Sequence, residues 1–383
     1  MLHSCLNLLP HIDPALGGLS TSVPALCAST SLAGGFPSTM AAFCDAGEQS
    51  ETTGISITRL PRSLFRRDTI RQLSQLIAGG DILHIHGLWQ APSLGGGWLA
   101  RRHSIPYVVS AHGMLEPWAL HHRRWKKSIY ASLIERSTLA GAACLRALTQ
   151  AEADDYRRFG LSNPIAIIPN GVEVRQANPE AFLDAFPELR GFRIILFLGR
   201  IHYKKGPDLL VRAWKQIAEQ FPDVRLVFAG NDSEGTEATI KRLAMHLAIA
   251  GRITFTGFLR GDLKWSALAA SSIFVLPSHS EGFSVAIVEA LGSARPVVIT
   301  PQCHFPEVAE QQCGWIVDPD CESLATALTK ALHAPHEILE EMGARGRGLV
   351  RKRCSWDAIG CQMAEVYRWI LGGHRPQLAE IRS

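Results

Sequence analysis

Residues 193–207 read Arg193-Ile194-Ile195-Leu196-Phe197-Leu198-Gly199-Arg200-Ile201-His202-Tyr203-Lys204-Lys205-Gly206-Pro207. Five apolar residues in an unbroken run predict a strand buried on both faces, as in a parallel sheet covered by helices on either side. Pro207 suits the first turn of the helix expected over 207–220, because a backbone N–H is not needed there. The stretch is therefore strand, loop, helix: the repeating unit of a doubly wound α/β fold.

Outward from this unit the rhythm persists. Short apolar runs predict strands at 6–9, 55–59, 82–85, 107–110 and 165–168 before it, and at 225–229, 253–255, 273–276, 297–299 and 315–317 after it. Helices are expected over 238–250 and 284–291. From Pro14 to Cys44 there is no charged residue, yet Gly, Pro, Ser and Thr interrupt the stretch too often for a membrane span. It reads as a loop and a buried helix of small residues. Pro169-Asn170-Gly171 signals a turn, and the polar run after it holds Pro179 and Pro187. A boundary there gives domains at 1–175 and 176–355. Residues 356–383 form a tail whose amphipathic helix, 356–371, crosses back to the first domain.

The bulk numbers exclude several classes. At 383 residues the chain is too long for one ordinary core, and its composition is globular. The net charge of +4 lies wholly in residues 1–175, with sixteen Lys and Arg against twelve Asp and Glu. That excess is too small to argue for nucleic acid. Nine cysteines with no Cys-x-x-Cys pair argue against a disulfide framework and a structural zinc. Without a secretory leader, a cytoplasmic protein is expected.

The chemistry concentrates in the second half. Glu281-Gly282-Phe283-Ser284-Val285-Ala286-Ile287-Val288-Glu289 follows the strand at 273–276. Ligands of open α/β sheets bind beyond the carboxyl ends of the strands. A helix starting near Phe283 aims its free N–H groups there and favours a phosphate. Glu289 suits a ribose diol, and Glu281 suits hydroxyls further along the same ligand. Arg200 and Lys205 leave the neighbouring strand at the same edge, a fork and a point charge for a diphosphate.

The first half offers weaker signals. Gly17-Gly18 follows the first strand and allows backbone to approach a donor phosphate or an acceptor closely, or is simply a turn. His112 sits at the carboxyl end of a strand. His84 and His86 flank Ile85 with their side chains on one face, and no third metal ligand accompanies them. Asp318-Pro319-Asp320 spells a metal-binding pattern, but Asp320 reads better as a helix N-cap. Between Trp118 and Tyr130 lie His121, His122, Arg123, Arg124, Trp125, Lys126 and Lys127, a mixture that suits peripheral contact with an anionic lipid surface or a lipid-diphosphate acceptor, or a solvated helix face.

Taken together these motifs resemble family 4 of the retaining GT-B glycosyltransferases, a group with many bacterial polysaccharide and lipopolysaccharide sugar transferases. The resemblance rests on Gly17-Gly18, His84-Ile85-His86-Gly87, Ala111-His112-Gly113, Pro169-Asn170-Gly171-Val172, Gly199-Arg200 with Lys205-Gly206, and the Glu281/Glu289 segment. It implies two Rossmann-like domains facing each other across a cleft. Arg200 and Lys205 would bind the donor diphosphate, with backbone amides at Gly282, Phe283 and Ser284. Glu289 would take the ribose and Glu281 the transferred sugar, while His112 would lie near that sugar or the acceptor. The implied reaction moves a hexose-type sugar from a UDP or GDP donor to a glycan or lipid-linked acceptor, with retention and without metal or other cofactor. Two departures stand out: Ala294-Arg295 replace a usual Gly before Pro296, and Cys303-His304-Phe305 replace a frequent Gly-Gly loop. Rival readings are a nucleotide-sugar epimerase of similar architecture and a nucleotide-sugar binding protein without transfer. A dinucleotide dehydrogenase fits less well, since no Gly-x-Gly-x-x-Gly follows the first strand.

Overall fold

The computed structural model describes residues 3–13, 18–44, 55–64, 66–116, 134–232 and 234–382. The chain forms two units, Met1–Gly171 joined by Cys354–Ser383, and Val172–Arg353. The strands of the first are β1 (Cys5–Leu9), β2 (Ser38–Phe43), β3 (Ile57–Leu60), β4 (Ile82–His86), β5 (Tyr107–Ser110), β6 (Cys144–Ala147) and β7 (Ile165–Ile167). The second holds β8 (Arg193–Leu198), β9 (Val224–Ala229), β10 (Ile253–Gly257), β11 (Ile273–Leu276), β12 (Val297–Ile299) and β13 (Gly314–Ile316). A last strand, β14 (Glu380–Arg382), returns to the first sheet.

Both sheets have the Rossmann order. The first runs β14-β7-β6-β5-β4-β1-β2-β3 and the second β10-β9-β8-β11-β12-β13. All pairings are parallel except β14 with β7. In the second sheet the chain winds one way from β8 to β10 and the other way from β11 to β13. The crevice at the carboxyl ends of β8 and β11 is therefore its topological switch point. The strand cores are fully buried, Ile195, Leu196 and Phe197 among them, and Phe197 meets Phe228 of β9 with ring centroids 5.0 Å apart.

Four helices frame the polar clusters of the two units: α1 (Leu19–Leu32), α2 (Pro207–Ile217), α3 (Val285–Gly292) and α4 (Trp356–Ile370). α4 belongs to the first unit. It lies against α1 at glycine contacts: a Cβ on Gly360 would stand 2.3 Å from the Ser29 carbonyl oxygen. Arg368 donates to the carbonyl of Gly35 at 3.2 Å, and Tyr367 reaches the buried His84. The uncharged stretch before Cys44 does hold a buried helix, but it also holds β2, which the apolar runs did not announce. Its Ala41-Ala42 centre lacks the β-branched residues that mark a strand, and pairing with β1 supplies the order instead. β6 went unannounced because Arg146 stands in its middle. That guanidinium is buried yet donates to the carbonyls of Ile168 and Pro169 and to Asn170 Oδ1, which stops it being a core defect.

The departure before Pro296 has a structural counterpart. Ala294 adopts φ +56°, in the left-handed region. That conformation is unfavourable for a residue with a Cβ and open to glycine. Asp320 caps the helix Cys321–His333 by accepting from Ser323 N at 2.8 Å. Among the described residues no helix is long and apolar enough to cross a membrane. The segment from Trp118 to Tyr130 lies outside the described residues.

Ala294→Gly is expected to raise stability by about 0.5–1 kcal/mol, as relief of backbone strain outweighs the added entropy of the unfolded chain. Urea unfolding of both proteins checks this, and an unchanged or lowered midpoint would show that the turn is not strained.

Candidate functional site

At the switch point of the second sheet, the loop after β8 and the loop after β11 are tied together by backbone. His279 N donates to the Lys204 carbonyl at 2.7 Å. Gly206, with φ +67°, lies so close to β11's loop that a Cβ there would stand 2.2 Å from the Pro277 carbonyl oxygen. Both conformation and space demand glycine at this position. The close approach delivers Lys205 to Glu281: its Nζ lies 2.5 Å from Oε1 and 2.7 Å from Oε2.

Glu281 is buried, and its position is fixed from three further directions. Ser278 Oγ donates to its Oε1 at 2.5 Å. Its own backbone N–H donates to the Gln302 carbonyl at 3.1 Å. Thr300 Oγ1 donates to the Ser278 carbonyl at 2.5 Å and so braces the serine. The second departure falls beside this cradle. Cys303 is buried with its thiol pushed up to about 11, by burial first and by Glu281 second, so it is a packed, protonated side chain. His304 takes φ +52°, where a glycine would rest more easily.

α3 begins at Val285, shortly after Glu281. Ser284 holds the N-cap position in extended conformation but its side chain makes no capping hydrogen bond. The first-turn N–H groups, with Gly282 and Phe283 just before them, are thus left for an anion. Glu289 lies one turn further along α3, buried, and its carboxylate takes Lys264 Nζ at 2.5 Å. Burial raises the Glu289 pKa, and Lys264 opposes that rise. Lys264, on the helix Gly261–Ala270, was invisible as a site residue in the sequence, where it is a lone cation outside any motif. Arg200 stands exposed, with no ion pair among the described residues. With each carboxylate matched by a lysine, Arg200 and the open helix end add positive potential at this edge.

The first unit has its own polar cluster at the carboxyl ends of β1, β4 and β5. His84 and His86 are buried and stacked, centroids 4.0 Å apart. Both nitrogens of each ring are engaged within the protein: His84 with Tyr367 at 2.6 Å and Ser110 at 2.8 Å, His86 with Asn7 at 3.0 Å and His112 at 3.1 Å. His112 follows β5 with φ +54°, a strained turn. Glu152, a residue the sequence did not mark, secures it. Its Oε1 accepts from Gly113 N at 2.7 Å and its Oε2 from Leu148 N at 2.6 Å. Gly18 begins α1 with ordinary helical φ and nothing near its missing Cβ, so no close approach in this structure requires it. Gly17 lies outside the described residues.

Comparison with known proteins divides along these two halves. Residues 179–349 match the model of "Glycosyl transferases group 1", and residues 17–171 match a "Glycosyl transferase 4-like domain". A phosphatidyl-myo-inositol mannosyltransferase of Mycobacterium tuberculosis is 29% identical over 335 residues, 83% of this chain and 82% of the relative. Among solved structures, the Anabaena protein HepE in complex with UDP and glucose superposes with TM-score 0.78 at 18% identity, covering 96% of this chain and all of that one. Sucrose-phosphate synthase of Thermosynechococcus elongatus gives 0.74 at 22% identity, over 96% and 99% of the two chains. The fold is that of the GT-B enzymes.

The Glu152 carboxyl is pushed up to about 7 from the ordinary 4.5, chiefly by burial, with its two N–H donors pulling the other way. Between those values the folded state keeps a proton that the unfolded chain has lost, so its contribution makes stability fall as pH rises, and the loss is complete above about 7. The buried neutral histidines act in the opposite sense and are common to both proteins compared. Denaturant unfolding from about pH 5 to 8 should show a wild-type profile that falls relative to Glu152→Gln. Parallel profiles would mean that Glu152 ionises normally.

Proposed function

Because the chain belongs to the group 1 glycosyl transferases, with a glycosyl transferase 4-like domain ahead of that region, we propose that it moves a hexose-type sugar from a UDP or GDP donor to a hydroxyl of a glycan or lipid-linked acceptor, with retention at the anomeric carbon. The observation that carries this reading is the Lys205–Glu281 pair, held at the switch point beside the uncapped start of α3. Such a corner suits a diphosphate with a polyhydroxyl group attached to it. The relatives agree in kind: one is named as a mannosyltransferase, and HepE was crystallised with UDP and glucose.

In this proposal Lys205, Arg200 and the amides of Gly282, Phe283 and Ser284 meet the diphosphate and stabilise the charge that grows on it as the glycosidic bond breaks. Glu281 keeps Lys205 in place and offers its second oxygen to sugar hydroxyls. Glu289 accepts from the ribose diol, and Lys264 keeps it ionised for that task despite burial. The acceptor hydroxyl attacks from the face the diphosphate leaves, and a phosphate oxygen takes its proton. With cations and amides in these roles the reaction needs no metal. The lipid-facing role of the segment from Trp118 to Tyr130 remains part of the proposal for a lipid-linked acceptor.

Lys205→Ala and Glu281→Gln are each expected to lower kcat by about a hundredfold or more, the scale of losing a group aimed at developing charge. Glu289→Ala should mainly weaken nucleotide binding, read by ligand-observed NMR with UDP and GDP. Wild-type transfer rates in the first two variants would refute the site, and sugar conversion without an acceptor would point to an epimerase.

A further inference from the structure

The polar chain that ends at His112 has a direction that can be read from its first member. Asn7, buried in β1, turns its Nδ2 toward the Thr39 carbonyl of β2 at 3.4 Å, a group that only accepts. That fixes the amide, so Oδ1 is the atom facing His86 Nε2 at 3.0 Å. An amide oxygen only accepts, and the hydrogen there must sit on His86 Nε2. Full burial holds His86 neutral, its pKa well below the ordinary 6.5. A neutral imidazole carries one N–H, which leaves His86 Nδ1 as a lone pair. The hydrogen between His86 Nδ1 and His112 Nε2, 3.1 Å apart, therefore belongs to His112.

His112 is neutral as well, its pKa lowered to about 3 by desolvation and by Arg146. With Nε2 protonated, its Nδ1 is a bare lone pair. The ring is only half-buried, and among the described residues Nδ1 has no hydrogen-bond partner. Which ring nitrogen carries the proton is set by the bond the other one makes.

We propose that Asn7 and His86 are positioning residues that lock His112 in its Nε2–H tautomer, so that Nδ1 is held as a hydrogen-bond acceptor for a hydroxyl of a carbohydrate ligand. This rests on the transferase reading above and refines it. A bare lone pair attracts an O–H donor and repels phosphate oxygens, so the chain fits His112 to a carbohydrate hydroxyl rather than to a phosphate. The strained turn held by Glu152 then serves to keep that nitrogen at a fixed position.

The test is the imidazole nitrogen spectrum of full-length protein labelled with 15N-histidine, with His112→Asn used only to assign the signal. At neutral pH His112 should show a protonated Nε2 and an unprotonated Nδ1. A protonated Nδ1, or an imidazolium, overturns the proposal. In His86→Leu the tautomers should mix and kcat/KM should fall about tenfold, at the lower end of what losing a histidine's orienting partner costs. His86→Asn, whose amide oxygen can replace ring Nδ1 as acceptor, should restore both the tautomer and most of the rate. Unchanged tautomer and rate in His86→Leu would also overturn it. The nitrogen spectrum decides the tautomer in a preparation without transfer, whereas absent transfer with every donor would count against the function, so the two failures are distinct.

Discussion

A carboxylate removed from water must find a partner, and in the second unit Glu281 finds Lys205 across the switch point of the sheet. The pair forms only because two loops come into backbone contact, which Gly206 permits by lacking a Cβ and by tolerating a left-handed conformation. The loop geometry, the brace from Ser278 and Thr300, and the aim of α3 all lead to that corner. The same electrostatic rule sets Glu289 against Lys264 nearby. Because truncating one partner of a buried pair leaves the other uncompensated, each of these side chains depends on its mate.

The first unit solves a parallel problem with neutral side chains and one buried guanidinium. Its sheet is as apolar as the second, yet Asn7, His84, His86, Ser110 and Arg146 are buried near its carboxyl edge. Each of them has a protein partner within hydrogen-bond distance, so burial is tolerated, and burial in turn keeps the histidines uncharged. α4 is part of that arrangement. Tyr367 reaches His84 from the far end of the chain, and Ser29 and Gly360 bring α1 and α4 into contact. The C-terminal segment thus completes the first unit's polar interior as well as its apolar one.

Much of this was legible in the sequence where one physical signal dominated. The apolar runs at 193–198, 273–276 and 297–299 coincide with β8, β11 and β12, because a doubly covered parallel strand needs nothing else in its sequence. Asp320 was legible as a cap because capping is local. β2 and β6 were not, since Ala41-Ala42 and Arg146 carry no strand signal of their own and depend on neighbours to be ordered. The helix expected over 238–250 runs Thr236–His246, and Ala248, at φ +55°, lies just beyond its end.

The sequence by itself determined the α/β class, the order of most strands, and the residue types gathered at the carboxyl edge of the second sheet. Those come from hydrophobic period and from short motifs whose chemistry does not depend on distant residues. Tertiary structure alone decided that Lys205 meets Glu281, that Lys264 meets Glu289, that Glu152 holds the turn of His112, and that His86 meets His112. These facts depend on hydrogen-bond partners brought together from separate strands and loops. A side chain's charge and proton are set by what surrounds it in space, and that is fixed only once the sheets have formed.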